Sequence, residues 1–404
     1  MKALLITEYF PPIIHGGGEI SAYSLAQALA KNNIEVHVLT SYFPNLKKYE
    51  EKDNIKIYRL LETGLNPRKL TDNIKRNILL KRSIKKYATE LNKKENFDII
   101  HFLNTTSITN LPEIKAKKIA TINNYTNFCP KSDLYYTKTN FSPGEKNFRK
   151  YIIEMLNTNY IGKQKLRFYL KYNPAFLTWL YLNYLQRRKQ INYVDKLIVL
   201  NDLIKRKNTE KIYNIANIET KITFYPIKSE NKNPIITFIG TLEKIKGVDL
   251  LIKAFSKTKE ANLLIVGSGS EENNLKQLCK ELNIENKVEF TGKLNQKYLP
   301  YIYSKTDIVV LPTRWPEPFA RVLLEATFFK KPIIATNTGG NPEAVIENLN
   351  GFLINTEQEL ANKLNILINN KNLREKMAIE SGNIYKTKFI TEKIIKQIIH
   401  LYQK

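Results

Sequence analysis

Short apolar runs alternate with amphipathic segments along this chain in the order strand, helix, strand. Residues 3–7 and 35–40 are apolar runs of strand length, and residues 20–31 between them carry apolar side chains at helical spacing. A parallel sheet with helices on its faces accommodates this order, because parallel strands need a long crossover connection that is usually a helix. The sequence therefore predicts an α/β fold with a doubly wound sheet.

The same pattern begins again after a polar stretch at residues 225–234. Apolar runs of strand length follow, with amphipathic segments between most of them: residues 235–239, 262–266, 287–290, 307–311 and 332–335. At roughly 150 residues per domain, a chain of 404 residues has room for two such units. We therefore expect Rossmann-like domains over residues 1–228 and 229–385. Ligands of such sheets bind at the carboxyl ends of the strands, so we expect a site in a cleft there.

Composition excludes several classes of protein. Hydrophobic residues make up 43% of the chain and charged residues 25%, which is typical of a globular protein and not of a disordered or collagen-like one. Cys129 and Cys279 form no CxxC or Cys/His ligand pattern, so we expect neither a disulfide framework nor a zinc site. The first apolar run ends at Glu8, too early for a signal peptide, and no apolar stretch reaches the roughly 18 residues of a membrane span. These features predict a cytoplasmic protein.

The chain carries a formal net charge of +26, and most of the excess lies before residue 228. Such a field favours an anionic partner, which is a nucleic acid, an anionic membrane surface or a phosphorylated substrate. A lysine-rich proteome would give the same number without any such partner. The charge alone does not choose between these explanations.

Residues 146–189 combine this charge with aromatic side chains. The segment contains ten Lys or Arg, one acidic residue, six Tyr, three Phe and one Trp. This mixture suits a surface that lies in the headgroup layer of an anionic membrane. A helical subdomain with a solvated basic face has the same composition, as does, less commonly, a surface that binds nucleic acid.

Glycine-rich turns follow the first strand of each predicted domain. Gly16, Gly17 and Gly18 lie between the first strand and the first helix, where backbone N–H groups can approach a phosphate. In the second domain, residues 240–247 include Lys246, which could reach a pyrophosphate. Taken singly, the first segment is equally consistent with a tight turn, because it has no GxGxxG spacing. The second is equally consistent with a loop that carries a solvated lysine.

Two glutamates, Glu317 and Glu325, follow the predicted strand at residues 307–311. Pro318 suits the start of a helix, which would place Glu317 at its mouth and Glu325 about two turns along. A carboxylate there can accept two hydroxyl hydrogen bonds from a ribose. The free N–H groups of the first turn can receive pyrophosphate or sugar oxygens, and they belong to Phe319, Ala320, Arg321 and Val322. A helix with an acidic first turn and a half-exposed glutamate is the structural alternative.

Together these segments are similar, in order and spacing, to the retaining glycosyltransferases of family 4. The resemblance covers nearly the whole chain and rests on Glu8, Phe10, Pro11, Pro12, Gly16, Gly17, Glu19, Gly240, Lys246, Gly247, Trp315, Glu317, Arg321, Glu325, Ala326, Gly339, Gly340, Pro342, Glu343, Asn350 and Gly351. It implies the GT-B fold, in which an N-terminal acceptor domain and a C-terminal nucleotide-sugar domain face a central cleft. It also implies that a terminal helix within residues 386–404 crosses back to the first domain.

The resemblance implies roles for individual residues. Glu325 would bind the donor ribose and Glu317 the sugar hydroxyls, whereas Lys246 and the turn at Gly16 to Gly18 would stabilise the departing diphosphate. Further donor contacts would come from Gly240, Thr241, Gly267, Lys293 and Leu294. The sequence contains no Asp-x-Asp motif. Cations and helix N-termini would then do the work that Mg²⁺ does elsewhere, and we expect no metal and no cofactor besides the substrate.

Some positions depart from the family pattern. Thr241 stands where the family commonly has an arginine, so one of two cations on the leaving diphosphate is missing unless Lys244 or Arg314 substitutes. Leu103 and Asn123 stand where relatives carry histidines.

Two further positions have alternatives that depend on geometry. Among the four histidines, His101 is the best candidate for a catalytic imidazole, because it ends a predicted strand that faces the cleft. A histidine satisfied by neighbouring backbone is the alternative. Ala320 replaces the family's usual glycine, which is tolerable at a negative φ and costly at a positive φ.

The sequence thus predicts a retaining, metal-independent hexosyltransferase. Its donor would be a nucleotide-diphosphate sugar of UDP or GDP type, and its acceptor a hydroxyl of a glycan or lipid-linked glycan in cell-surface polysaccharide or glycolipid synthesis. Residues 146–189 would hold it peripherally on the cytoplasmic face of the membrane, and no nucleic acid partner is expected. Two alternatives stay open: a GT-B protein with little or no turnover, and, on charge alone, a nucleic-acid-binding protein.

Overall fold

A computed structural model describes residues 1–63, 70–129, 146–157, 172–204, 206–215, 218, 220–227 and 233–404. These residues form two compact units. The first contains Met1–Ile215 and Thr391–Lys404, and the second contains Ala216–Ile390. The boundaries predicted from the sequence lie after residues 228 and 385.

The first unit is built on a mixed sheet. Its described strands are β1 (Lys2–Ile6), β2 (Glu35–Ser41), β3 (Tyr49–Lys52), β4 (Ile55–Leu61), β5 (Ile99–Phe102), β6 (Lys117–Ile122), β7 (Lys196–Val199) and β8 (Thr209–Lys211). They lie in the order β3-β4-β2-β1-β5-β6-β7-β8, with β3 antiparallel to β4 and the other neighbours parallel. The strand order reverses between β1 and β5, and this reversal is a topological switch point.

The first unit also contains α-helices, two of which pack against this sheet. Those described before the second unit are α1 (Gly17–Lys31), α2 (Leu70–Glu95), α3 (Phe148–Asn157) and α4 (Pro174–Gln190). Helix α1 buries Ala22, Leu25, Ala26 and Leu29, at the helical spacing that the sequence predicted. Because helices cover both faces, Leu4 and Leu5 of β1 are both fully buried, which explains its continuous apolar run.

The second unit contains a fully parallel sheet. Its described strands are β9 (Ile235–Ile239), β10 (Asn262–Val266), β11 (Val288–Gly292), β12 (Ile308–Leu311), β13 (Ile333–Thr336) and β14 (Gly351–Ile354). They lie in the order β11-β10-β9-β12-β13-β14. Its described helices are α5 (Val248–Phe255), α6 (Glu272–Glu281), α7 (Leu299–Lys305), α8 (Arg321–Phe328), α9 (Asn341–Ala344), α10 (Glu357–Asn369) and α11 (Lys371–Ile384). The switch point of this sheet lies between β9 and β12.

The terminal helix α12 (Thr391–Gln403) belongs to the first unit. Its buried face of Ile394, Ile395, Ile398 and Leu401 joins the core cluster that contains Leu5 of β1. The chain therefore passes through the second unit and returns to complete the first. None of the helices in the described part of the chain is both long and apolar enough to cross a bilayer.

Some strands lack a clear signal in the sequence. Strand β3 has the sequence YEEK at the edge of its sheet, so it lacks the apolar alternation that identifies a half-buried strand. Strand β14 begins at Gly351, and glycine is depleted in strands, so its start has no clear sequence signal. A Cβ on Gly351 would lie 1.8 Å from the carbonyl oxygen of Ile333, so the glycine allows β13 and β14 to approach.

The described parts of residues 146–189 are α3 and α4, and residues 158–171 lie outside the described residues. The two helices share a small core of Tyr151, Met155, Leu177 and Tyr184. The basic and aromatic composition therefore belongs to a packed helical pair with its own apolar interior.

Candidate functional site

Two loops meet at the switch point of the second unit. Residues 240–247 follow β9, and residues 312–320 follow the neighbouring strand β12. The backbone N–H of Arg314 donates to the carbonyl oxygen of Ile245 at 2.8 Å, and the Thr313 hydroxyl donates to the same oxygen at 3.2 Å. The loops are thus fixed to each other at the edge of the sheet where α/β proteins bind ligands.

Lys246 and Glu317, both predicted site residues, contact each other across these loops. Lys246 Nζ lies 2.7 Å from Glu317 Oε2, and each side chain is 17% exposed. The same ammonium lies 5.6 Å from the centroid of the Trp315 ring, within cation–π range. The pair is therefore partly shielded but reachable from solvent, and it presents one cation and one carboxylate at the same point.

Glycines permit the close packing of the loop that carries Glu317. Gly339 has φ +58, and a Cβ there would lie 2.2 Å from the carbonyl oxygen of Glu317. Gly247 has φ +70, and a Cβ there would lie 2.0 Å from the carbonyl oxygen of Pro312. The N–H of Gly340 also donates to the Glu317 carbonyl at 2.8 Å. Residues 339–340 therefore hold Glu317 in position.

Glu325 lies on α8 and is 5% exposed. One carboxylate oxygen accepts from Arg321 Nε at 2.7 Å, and the other accepts from the Tyr303 hydroxyl at 3.0 Å. Burial, reinforced by the adjacent carboxylate, raises the pKa of Tyr303 well above its ordinary value, so this phenol stays a donor. Each oxygen retains a second lone pair for a further hydrogen bond.

Helix α8 begins later than the sequence predicted. Its first residue is Arg321 and its N-cap is Ala320, so Glu317 lies in the preceding loop and not at the mouth of the helix. Phe319 and Ala320 are buried, while Arg321 and Val322 are half-buried in the first turn. The φ of Ala320 is −77, the tolerable case for alanine at a position where relatives have glycine.

Lys244 and Arg314, the two cations considered as substitutes for the missing arginine, both bind Asp249. Arg314 holds this carboxylate through two guanidinium nitrogens at 2.6 and 2.8 Å, and Lys244 Nζ lies 2.8 Å from it. Burial raises the pKa of Asp249, but hydrogen bonds from Arg314 and Lys244 outweigh it and bring the pKa to about 2. Both cations are therefore already paired with Asp249, so neither replaces the arginine that is missing at position 241. Thr241 itself is exposed.

The other predicted donor residues follow the neighbouring strands. Gly240 follows β9 and Gly267 follows β10, and a Cβ on Gly267, at φ +141, would lie 1.8 Å from the Gly240 carbonyl oxygen. Lys293 and Leu294 follow β11, with Lys293 exposed and Leu294 half-buried. These residues therefore belong to one row of loops at the carboxyl edge of the sheet.

The glycines of the first unit lie at the start of α1. Helix α1 begins at Gly17, and the N–H of Gly16 donates to Glu19 Oε2 at 2.8 Å. Gly18 lines a small cavity of about 40 Å³ together with Leu103 and Asn123, and Asn123 Nδ2 donates to the Leu103 carbonyl at 3.0 Å. The two positions that depart from the family's histidines are thus bonded to each other beside the glycine turn.

His101 does not face a cleft, and this prediction is wrong. Its ring is fully buried, with Nδ1 2.8 Å from the Tyr402 hydroxyl of α12 and Nε2 2.8 Å from Thr121 Oγ1. Burial lowers the pKa of the ring to about 3. Both nitrogens are occupied, so His101 joins the terminal helix to the sheet and does not offer a base to a substrate.

Glu8, quoted only as a motif residue, lies in a polar cluster at the switch point of the first unit. It is 1% exposed, yet Arg76 Nε lies 2.6 Å from its Oε1. Thr63 and Thr106 donate to its two oxygens at 3.2 and 3.1 Å. Three chain segments are tied to this one buried carboxylate, an arrangement that sequence spacing cannot reveal.

One described group of three residues has the ligand types of a metal site. Oxygen and nitrogen atoms of Glu35, His37 and Glu95 lie within 4.8 Å of one another. However, Lys56 lies 2.8 Å from Glu35 and Lys2 lies 3.2 Å from Glu95. Hydrogen bonds from Lys56 and His37 lower the pKa of Glu35 to about 2. Two lysines therefore already compensate these carboxylates.

Two family descriptions match the chain. "Glycosyltransferase Family 4" matches residues 15–206, and "Glycosyl transferases group 1" matches residues 220–382. The spore coat protein SA of Bacillus subtilis (strain 168) is 30% identical over 183 residues, which are 42% of this chain and 48% of that protein. The chain thus spans about half the length of this curated relative.

Solved structures of the same architecture cover the entire chain. The sucrose-phosphate synthase of Thermosynechococcus elongatus superimposes with a TM-score of 0.73 at 20% identity, covering 100% of this chain and 98% of that one. HepE of Anabaena in complex with UDP-glucose superimposes with a TM-score of 0.66 at 18% identity, covering 100% and 99%. At these identities the likeness establishes the fold.

Proposed function

We propose that this chain, which belongs to glycosyltransferase family 4 and has the GT-B fold, transfers a sugar from a nucleotide-diphosphate sugar to a hydroxyl group. The observation that carries the proposal is the Lys246–Glu317 pair, a shielded cation and carboxylate 2.7 Å apart at the switch point of the second unit. The Anabaena structure with UDP-glucose supports a UDP-type donor. A GDP-type donor is the alternative within the same class.

The contacts among the donor residues support a division of labour. Lys246 exchanges its contact with Glu317 for the diphosphate, because a diphosphate with two negative charges attracts the ammonium more strongly than one carboxylate does. Glu317 is then available to accept from the sugar hydroxyls. Glu325, held by Arg321 and Tyr303, accepts from the ribose hydroxyls with its remaining lone pairs.

The transfer proceeds with retention of the anomeric configuration. The acceptor oxygen bonds to the anomeric carbon while the bond from that carbon to the diphosphate oxygen breaks. The acceptor proton passes to the departing diphosphate on the same face, and the sugar carries oxocarbenium-like charge in between. Lys246 neutralises the developing charge on the diphosphate, so the protein contributes electrostatic stabilisation and orientation without requiring a metal. The prediction that the glycine turn of α1 also stabilises the diphosphate stays a prediction.

The acceptor is a glycan or a lipid-linked glycan in cell-surface polysaccharide or glycolipid synthesis. Helices α3 and α4 expose large apolar side chains: Phe148 is 43% exposed, Trp179 46% and Leu182 57%. Helix α4 ends in Arg187, Arg188 and Lys189. Exposed aromatic and aliphatic anchors beside cations suit the surface of an anionic membrane.

Flotation with vesicles tests this membrane contact. Wild type should float with phosphatidylcholine vesicles that contain phosphatidylglycerol and not with phosphatidylcholine alone. The double variant Trp179→Ser, Leu182→Ser should float less, while Ile366→Ser, Ile379→Ser, at two exposed positions of the second unit, should match wild type. Flotation that ignores lipid charge, or equal losses in both variants, would remove the membrane reading.

Release of nucleoside diphosphate from UDP- and GDP-sugars in the presence of EDTA tests the activity. A transferase should hydrolyse its donor slowly without acceptor, and Lys246→Gln should abolish that release. The departure at Thr241 favours one competing function, a donor-binding protein with little or no turnover. Donor binding without any release, under every acceptor tried, would favour that function over the transferase.

A further inference from the structure

Helix α2 presents a row of cations to a groove in the first unit. Lys81, Lys85 and Lys93 lie at intervals of four and eight residues, and therefore on one face of the helix. Arg82 and Lys86 form the adjacent row and line the same groove. Like charges four residues apart destabilise a helix, and a bound anion would relieve this repulsion.

Few carboxylates compensate this row. Among the described residues, Glu90 and Glu113 are the acidic ones that line the groove, and Glu113 lies 3.4 Å from Lys85. Within the described residues, no carboxylate pairs with Lys81, which is half-buried. Burial and the charge of Arg187 lower the pKa of Lys81 to about 8, the expected response of an ammonium with a cation and no anion beside it.

The wall opposite α2 carries groups that hydrogen-bond neutral ligands. It consists of the loop at residues 108–113 and of residues 186–193, and it offers the side chains of Asn110, Gln186 and Tyr193, whereas Thr109 and Gln190 are buried and bonded within the protein. Amides and hydroxyls both donate and accept, as the hydroxyl groups of a sugar require. The groove has a volume of about 740 Å³, the size of a site for a small ligand.

We propose that this groove binds a phosphate-bearing sugar, with the phosphate on the α2 cations and the sugar hydroxyls on the opposite wall. All the lining residues belong to the first unit, and none of them is among the predicted donor residues. If the chain is the transferase proposed above, on which this inference rests, its acceptor is a glycan that carries a phosphate, either free or as part of a lipid headgroup. RNA fits less well, because single-strand binding surfaces stack bases on several aromatic rings, whereas Tyr193 is the one aromatic residue among the described residues that line this groove.

Calorimetric titration of the full chain with inorganic pyrophosphate and with glucose 6-phosphate tests the site. Both titrations use the Lys246→Gln background, so that the donor site does not contribute. The triple variant Lys81→Gln, Lys85→Gln, Lys93→Gln should bind both probes at least tenfold more weakly. The control Lys259→Gln, Lys287→Gln, Lys376→Gln removes the same charge from exposed positions of the second unit and should bind like its parent. Circular dichroism of each variant verifies folding.

The outcomes separate the alternatives. Weaker binding in the α2 variant alone supports the proposal, and equal affinities in the two triple variants overturn it.

Flotation with phosphatidylglycerol vesicles distinguishes the two sources of the phosphate. Loss of flotation in the α2 variant assigns a lipid headgroup, and unchanged flotation assigns a soluble phosphorylated glycan. Oligoribonucleotide binding that depends on the α2 lysines and that glucose 6-phosphate does not displace would overturn it in favour of RNA. Because these assays measure binding without turnover, they stand or fall separately from the donor hydrolysis that tests the transferase.

Discussion

Lys246 Nζ and Glu317 Oε2 lie 2.7 Å apart in the second unit, although 71 residues separate them along the chain. The pair exists because β9 and β12 are neighbours, which puts the loops that follow them side by side. A close pair of opposite charges lets each group hold the other in place until a ligand with both phosphate and hydroxyl groups takes over the contacts.

Glu317→Gln should lower kcat/KM for the donor about 10- to 100-fold, since a hydrogen bond to a charged group contributes ~1.5–3 kcal/mol. Donor hydrolysis or transfer measures the effect. Glu272→Gln, at a surface ion pair with Lys276 on α6, is the matched control and should stay within twofold of wild type, or about 0.4 kcal/mol. Equal activities of Glu317→Gln and the control would remove Glu317 from the site.

Gly339→Ala should destabilise the chain by more than Gly292→Ala does. Both glycines have positive φ, +58 and +72, so both substitutions incur backbone strain of about 1–2 kcal/mol. Only the Cβ at position 339 would also collide, at 2.2 Å, with the Glu317 carbonyl oxygen, whereas nothing lies within 4 Å of the one at 292. Urea unfolding of the two variants measures the cost of the contact between the added Cβ and the Glu317 carbonyl. Equal losses of unfolding free energy would show that the loop moves aside freely.

The stability of the protein should depend on His101 in acid. The unfolded ring has a pKa of about 6.5, while burial lowers that of the folded ring to about 3. Between these two pH values the unfolded state binds one more proton than the folded state. The stability that the neutral, buried His101 ring contributes is therefore fully present above about pH 6.5. It is lost as the pH falls, by up to ~1.4 kcal/mol per pH unit.

Unfolding measured from neutral pH to about pH 4 compares wild type with His101→Gln. The variant has no titrating ring at this position, so its stability should fall less steeply by the equivalent of one proton. Parallel curves would mean that the folded ring can take up a proton, contrary to its complete burial.

Thr241→Arg should tighten donor binding about tenfold. It restores the cation that relatives carry after the glycine, and one charge-assisted hydrogen bond contributes ~1.5–3 kcal/mol. Thr241→Gln adds a side chain of comparable reach without charge and should change little. Calorimetry with the donor decides, and an equal affinity of the two variants would mean that position 241 does not reach the diphosphate.

Much of this architecture follows from local sequence signals. The run at residues 3–7 and the apolar spacing of residues 20–31 identify β1 and α1 because both elements bury apolar side chains against a sheet. The start of α8 could not be read in the same way. Pro318 is compatible with a first helical turn, but contacts of Gly339 and Gly340 with residues 317–318 hold that segment outside the helix.

The environment of a polar side chain was the least predictable feature. His101 ends a strand, where sheets commonly bind ligands, but α12 returns from the far end of the chain and covers it with Tyr402. The groove along α2 depends likewise on α4, about a hundred residues further along the sequence. Local patterns identify the elements, whereas long-range packing decides which of their polar groups a ligand can reach.

Thermal unfolding with a panel of UDP-, GDP-, ADP- and dTDP-sugars in EDTA tests the central claim most directly, because a ligand that binds only the folded chain raises its stability. We expect one nucleotide class to raise the Tm of wild type, and to raise it much less in Lys246→Gln and Glu325→Gln. No rise with any sugar nucleotide, or an equal rise in wild type and both variants, would contradict a donor site at these loops of the second unit.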